Sequence, residues 1–346
     1  MGEKRNSTRM RLKPDEAALV ENYRAIKQQS KSMGLDPKSV HSGWLKTKDA
    51  SLYFQNPEFG NKGDALKFKD DVVKSVKEHA PKYDKFKRKQ SKESHLLVVD
   101  PADCHIGKLA SEFETGKEYN SQIAVQRILE GVQGVLNKSK GFDIDRILFI
   151  GGNDILHTDN AKSSTTAGTP QDTSQMWYDN FILAKQVYID VIDLLLTVAD
   201  VHFTFNPSNH DYISGFMLAQ VIEAHYSKCK QVTFDVNMMH RKYYMYGTNL
   251  IGTTHGDGAK NYNLGALMSV EAKRLWVNAE YRYFYTHHVH HKTSKDYIGV
   301  TVESLRSPSE SDSWHHRKGY TGSVKAIEGF IHSKECGQVA RLTHNF

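Results

Sequence analysis

From residue 95 onward, short apolar runs alternate with longer amphipathic stretches. The runs His95–Asp100, Arg146–Ile150, Val201–Asn206, Gln231–Asp235, Leu250–Thr254, Tyr281–Thr286 and Gly299–Glu303 predict strands. Between them, Asn120–Leu136, Ser174–Ala199, Ser214–Tyr226 and Leu264–Trp276 carry apolar residues at helical spacing. In Ser174–Ala199, the residues Trp177, Phe181, Ala184, Tyr188, Val191 and Leu195 fall on one stripe, which predicts a buried face. Strands interleaved with helices predict an α/β core of sheets flanked by helices, and no internal repeat is visible.

The first 94 residues have a different texture. Leu19, Tyr23 and Ile26 recur at helical spacing from Lys13 to Gln29, with Pro14 and Asp15 suited to a helix start and Gly34 to its end. A short helix from Asp36-Pro37, then Trp44-Leu45 and a strand-like Ser51–Gln55, complete the outline of a winged-helix module, one shared by many small α+β units. The run APKYDKFKRKQSKES at 80–94 is a basic linker or a phosphate-contacting surface. Residues 1–94 are therefore expected to form a basic, nucleic-acid-binding module with its linker, and residues 95–346 a second domain.

Charge sharpens that division. The chain carries +6 overall, but residues 1–95 hold 22 Lys+Arg against 13 Asp+Glu, whereas the remainder holds 24 against 27. A net of +9 joined to a net of −3 points to a polyanionic partner for the first module, with a solubilising surface as the plain alternative. Hydrophobic residues at 39%, with 24 Gly and 8 Pro, exclude fibrous and wholly disordered classes. No apolar run approaches the ~18 residues of a membrane span, and no apolar stretch follows the basic N-terminus, so neither membrane nor secretion is expected. Cys104, Cys229 and Cys336 are odd in number and far apart, which fits a reducing, cytoplasmic setting better than a disulfide framework.

Metal-ligand residue types cluster just after predicted strands, where α/β folds build their sites. The groups are Asp103-Cys-His105, then Gly151-Gly-Asn-Asp154-Ile-Leu-His157, then Ser208-Asn209-His210-Asp211, then Thr254-His255-Gly-Asp257, then His287-His288-Val-His290-His291. A carboxylate and a histidine two residues apart in a turn can face one cation. Asn offers a neutral oxygen, and His210 can act on a phosphate oxygen with Asp211 orienting it. Each group alone also fits an ordinary polar turn. Five in this order, each after a strand, do not fit chance.

The ordered set D-x-H, N-D, N-H-D, H and H-x-H resembles the calcineurin-like metallophosphoesterase family over roughly residues 95–335. The resemblance implies an α/β sandwich of two mixed β-sheets flanked by helices, with residues 95–346 as the catalytic domain and the small N-terminal module outside it. It further implies that Asp103, His105 and His290 hold one metal, that Asn209, His255 and His288 hold a second, and that Asp154 bridges them. His210 would contact the scissile phosphate and serve as general acid. Two divalent cations, Mn expected ahead of Fe or Zn and with Mg less suited, would clamp the phosphoryl oxygens and generate the attacking hydroxide. Asn153, Ser208 and His287 stand where the family has glycine.

Asp154-Ile-Leu-His157 looks like the motif of the double-strand-break repair exonuclease branch, where such a histidine positions nucleic acid. With the basic module, this implies a nuclease acting on DNA, in the style of phage-borne members and so placed in a host cytoplasm. The alternative is a phosphatase or phosphodiesterase for nucleotides, cyclic nucleotides or another small phosphoester. Lys87 and Arg88 before the first catalytic strand, and Arg317 near Trp314, are candidate phosphate contacts. A homo-oligomer or a protein partner stays open.

Overall fold

In the computed structural model, the described residues are 80–83 and 93–346, together with the backbone of two earlier strands, β1 (Ser42–Lys46) and β2 (Ser51–Gln55). Lys87, Arg88 and the expected helix Lys13–Gln29 lie outside them. The chain divides into a unit of residues 1–75 and a unit of residues 76–346. In the first, β1 and β2 pair antiparallel, with Ser42 opposite Gln55 and Lys46 opposite Ser51. That places the anticipated Ser51–Gln55 run in a hairpin-like pair.

The second unit runs β3 (Ser94–Asp100), α1 (Glu112–Thr115), α2 (Ser121–Lys138), β4 (Asp143–Gly152), α3 (Trp177–Leu196), β5 (Asp200–Asn206), α4 (Tyr212–His225), β6 (Val232–Asp235), β7 (Lys242–Tyr246) and β8 (Asn249–Thr254). It continues through α5 (Leu264–Glu271), α6 (Lys273–Trp276), β9 (Tyr281–Thr286), β10 (Thr293–Tyr297), β11 (Val300–Ser304), α7 (Ser313–Arg317), β12 (Ala326–Ser333) and β13 (Gly337–Asn345). One sheet has the order β13-β12-β3-β4-β5-β6 and the other β10-β11-β9-β8-β7. Both are mixed. β3 to β6 run parallel while β12 is antiparallel to β3; β8, β9 and β11 run parallel while β7 and β10 are antiparallel edges.

Side-chain alternation builds four layers. Leu96, Val98, Leu148 and Ile150 turn inward and meet Ile251, Tyr285 and Phe330 between the sheets. Their neighbours Leu97, Val99, Ile147 and Phe149 turn outward against α2, α3 and α4. Leu250 and Phe284 face the other way, onto Leu264 and Met268 of α5. Each such fully buried side chain contributes about 1.5–3 kcal/mol. Asn206 and Thr253 stitch the two sheets together: Thr253 Oγ1 donates to Asn206 Oδ1 at 2.8 Å, and Asn206 Nδ2 donates to the Thr253 carbonyl at 3.2 Å. No helix among the described residues is long and apolar enough to cross a membrane.

The expected stripe of α3 is only partly buried. Ala184, Tyr188, Val191 and Leu195 lie in the core, but Trp177, the first residue of the helix, is 45% exposed. In this unit four strands were not foreseen: β7, β10, β12 and β13. β12 (AIEGFIHS) is central, yet it carries the buried polar residues Glu328 and His332. Glu328 meets Arg306 at 2.6 Å and Arg341 at 2.8 Å, so its charge is compensated from elsewhere in the chain.

His332 gives a prediction. Burial pulls its pKa down from 6.5 to about 3. The unfolded chain binds that proton below pH 6.5 while the folded chain does not until about pH 3, so stability falls as pH drops through this window. Between pH 6 and pH 4 the wild type is expected to lose about 1.4 kcal/mol per pH unit more than His332→Gln. Urea midpoints at the two pH values check this, and equal acid sensitivity would exclude it.

Candidate metal centre

The loops leaving β3, β4, β5, β8 and β9 converge at one end of the sandwich and bring the five sequence groups together. Their backbones are unusual. Among the described residues, seven non-glycine positions have positive φ: Asp103, His105, Asn153, Asp154, Ser163, His288 and His290. Six of the seven belong to the five sequence groups, and Ser163 lies further along the loop after β4. Each costs on the order of 1–3 kcal/mol and persists only where its surroundings impose it, so the strain is concentrated where the polar side chains meet.

Backbone bonds lock the loops to one another. Asp103 N–H donates to the Asn153 carbonyl at 2.8 Å, and His105 N–H to the Asp154 carbonyl at 2.9 Å. His210 N–H donates to Asp154 Oδ1 at 3.0 Å, and His288 N–H to Asp103 Oδ2 at 3.0 Å. Asp103, His105, Asp154 and His255 are almost fully buried, and His288 is exposed to the cleft.

Two donor groups result. Potential ligand atoms of Asp103, His105 and His290 lie within 4.8 Å of one another, as do those of Asp154, His255 and His288. Asn209 Oδ1 joins the second group, 2.9 Å from His255 Nε2. Asp154 Oδ2 stands 3.2 Å from His255 Nε2 and 4.0 Å from His105 Nε2, so one oxygen faces both groups. His157, His105 and His210 form a third histidine cluster of the same compactness.

The electrostatics fit divalent cations. Burial, then the neighbouring histidines, hold His105 well below its usual pKa, and burial with Lys108 does the same for His290. Both are therefore neutral, the form that binds metal. Burial would lower His255 too, but Asp154 overrides it and lifts the ring to about 9. Burial, together with the charge of Asp154, raises Asp103 to about 6 despite His255. Asp103 Oδ1 is buried without a hydrogen-bond partner. Two crowded carboxylates with an unsatisfied oxygen and neutral imidazoles form a set that a cation relieves, and the mixed O and N donors can hold a divalent metal.

The three positions lacking glycine have local reasons. Asn153 adopts φ 52°, which asparagine tolerates better than most residues. His287 is buried with both ring nitrogens at oxygen acceptors, Asp100 Oδ2 at 2.9 Å and the Thr254 carbonyl at 3.1 Å. Asp100, the rival to Asp103 in sequence, is thereby engaged away from the donor groups. Ser208 Oγ accepts from Asp154 N–H at 2.8 Å and donates to Asp211 Oδ1 at 2.5 Å.

That last bond corrects one expectation. Asp211 does not orient His210: its carboxylate is taken by Ser208 and by Leu156 N–H at 2.9 Å, so it braces the Asp154 loop from behind. His210 is oriented instead by His157, whose carbonyl accepts from Nδ1 at 2.9 Å while the two rings stack at 5.3 Å. His157 is itself buried, with Nδ1 3.3 Å from His105 Nδ1. Arg317 is exposed and does not line the cleft, which takes Trp314, His315 and Tyr320 from that segment. Lys108 was not foreseen; it is 1% exposed, lines the cleft and sits 3.1 Å from Asp312. Its only sequence signal is its place three residues after His105.

Ser208→Ala is expected to destabilise the protein by about 2–3 kcal/mol, because Asp154 N–H loses its acceptor and the buried Asp211 carboxylate loses a donor. Ser208→Gly loses the same two bonds and should be no better. Chemical denaturation of both variants tests this; a stable Ser208→Gly would show that the bonds contribute little.

The cleft over the centre encloses about 830 Å³, with Thr165, Thr169 and Gln171 of the loop after β4 on another side. No protein-family model and no curated protein matches the sequence. Solved structures with a similar fold include an archaeal phosphodiesterase, at 9% identity, TM-score 0.35 and coverage of 73% of this chain and 99% of that one. Another is Entamoeba histolytica Vps29 complexed with zinc, at 12% identity, TM-score 0.32 and coverage of 72% and 98%. A third is a putative 5′-nucleotidase from Staphylococcus aureus, at 9% identity, TM-score 0.34 and coverage of 72% and 54%. The functional reading rests on the geometry of the centre itself.

Proposed function

We propose that this protein is a dinuclear-metal-dependent phosphodiesterase that hydrolyses nucleic acid, with DNA as the expected substrate. One observation carries the reading: Asp154 Oδ2 faces His105 on one side and His255 on the other, at the meeting point of two three-residue donor groups. Asp103, His105 and His290 would hold one cation, Asn209, His255 and His288 the other, and Asp154 would serve both. Divalent cations held there would supply positive charge to the phosphoryl oxygens and lower the pKa of a bound water.

The chain's own residues do the rest. Because a carbonyl can only accept, the His157 carbonyl keeps a proton on His210 Nδ1. His210 Nε2 can then hand a proton to the leaving oxygen from the doubly protonated ring. His157 is a positioning residue in this scheme, acting through His210 and His105. Lys108 supplies a buried positive charge on the cleft wall. The net +9 of residues 1–95 supports a polyanionic substrate over a small ester.

The test is cleavage by the full-length protein in Mn²⁺ of end-labelled single- and double-stranded DNA, alongside bis-p-nitrophenyl phosphate and p-nitrophenyl phosphate. DNA cleavage that disappears in His255→Ala supports the reading. Turnover of small esters with DNA left intact would move the assignment to a nucleotide or other small phosphoester.

A further inference from the structure

One wall of the cleft is not used by the metal centre. Trp314 and Tyr320 both line it, and they are 57% and 62% exposed. Their ring centroids are 5.8 Å apart. Large aromatics side by side at a cleft mouth bury little of their surface in the folded chain, so folding alone does not account for them.

Both rings are held close to the centre. Trp314 meets His315 edge-on at 5.1 Å, and His315 stacks on His290 at 5.3 Å and 17°. Asp312 caps α7 by accepting from His315 N–H at 2.9 Å, and it also faces His315 Nδ1 at 2.7 Å. Its other oxygen pairs with Lys108, three residues beyond His105. A buried ammonium that lost this carboxylate would be heavily penalised, so the pair ties α7 to the metal-binding loop. Tyr320 N–H donates to the His315 carbonyl at 2.9 Å, which folds the chain back and brings the second ring beside the first.

We propose that Trp314 and Tyr320 form a stacking platform for a nucleobase, holding the nucleoside whose phosphate sits beside His105 and His290. Trp314 lies two ring-to-ring contacts from His290, through His315, and Tyr320 one contact further. Stacking on aromatic rings accepts every base, so the ligand is a nucleoside phosphate or phosphodiester without sequence preference. The position of the phosphate rests on the phosphodiesterase reading above; recognition of the base does not.

Two measurements on the full-length protein test it. In Mn²⁺, kcat/KM for thymidine 5′- and 3′-p-nitrophenyl phosphate is compared with that for methyl p-nitrophenyl phosphate, which shares the leaving group and lacks the nucleoside. The ratio for one thymidine ester is expected to fall roughly tenfold in Trp314→Ala and in Tyr320→Ala, equivalent to about 1.4 kcal/mol, and to recover in Trp314→Phe. A ratio unchanged in both alanine variants overturns the proposal. Calorimetry compares thymidine 5′-monophosphate with deoxyribose 5-phosphate. Wild type is expected to prefer the former about tenfold, and Trp314→Ala to lose that preference. If no ester is turned over but the binding preference is present and depends on Trp314, the phosphodiesterase reading fails and the platform stands. If wild type shows no preference for the base, the platform is wrong whatever the activity.

Discussion

Asp154→Asn is expected to lower phosphodiester hydrolysis about a thousandfold or more while leaving the protein folded. The side chain is buried, and its two oxygens have separate duties. Oδ1 accepts from His210 N–H, a bond that the asparagine carbonyl can keep. Oδ2 faces His255 and His105, and there the amide puts a neutral group where a charge is needed. Asparagine keeps the shape and removes the anion that stands between the two donor groups. It also removes the charge that lifts His255 to about 9 against its burial, so His255 becomes neutral and the surrounding bonds survive. Steady-state kinetics, with metal content by atomic emission, check this. Full activity with two metals bound would exclude the bridging role proposed for Asp154.

The second large effect is on folding. Gly152→Ala is expected to destabilise the protein by about 3 kcal/mol and to disorganise the centre. Gly152 ends β4 with φ +79°, and a Cβ there would stand 2.1 Å from the Asn206 carbonyl and 2.9 Å from the Phe205 ring. Backbone of β5 cannot yield cheaply, since Asn206 is bonded across to Thr253 of the other sheet. The strand ends must separate, which pulls Asp154 away from Asn209 and His210. Denaturant melts and Mn²⁺ titration of the variant give the two readouts. Native stability with native metal affinity would show that the loops can shift without cost.

Both effects come from residues at the end of one strand, Gly152 and Asp154, and that kind of feature is local enough to be read in sequence. Strands β3, β4, β5, β8 and β9 announce themselves as apolar runs, and each is followed within a few residues by its ligand group. The exposed edge β10 (TSKDY) and the strand β12 did not announce themselves. Their polar residues are unremarkable at the edge and, in the centre, are made tolerable by partners far away in the chain, as Glu328 is by Arg306 and Arg341.

The order of the donor groups was therefore legible by itself: which residue types lie after which strands, and in what sequence; the place of Asp154 between them was implied by the family resemblance. Only the tertiary structure decided which of them act from behind. Asp211 serves Ser208 and Leu156 instead of His210, His287 takes up Asp100, Lys108 is tied to Asp312 from over two hundred residues away, and Tyr320 takes the place expected of Arg317. The reason is physical. A ligand group is recognised by covalent neighbours and spacing, which sequence preserves. A buried carboxylate or ammonium is satisfied by whatever polar atom the packed layers bring within about 3 Å, and that pairing is settled only when the chain folds.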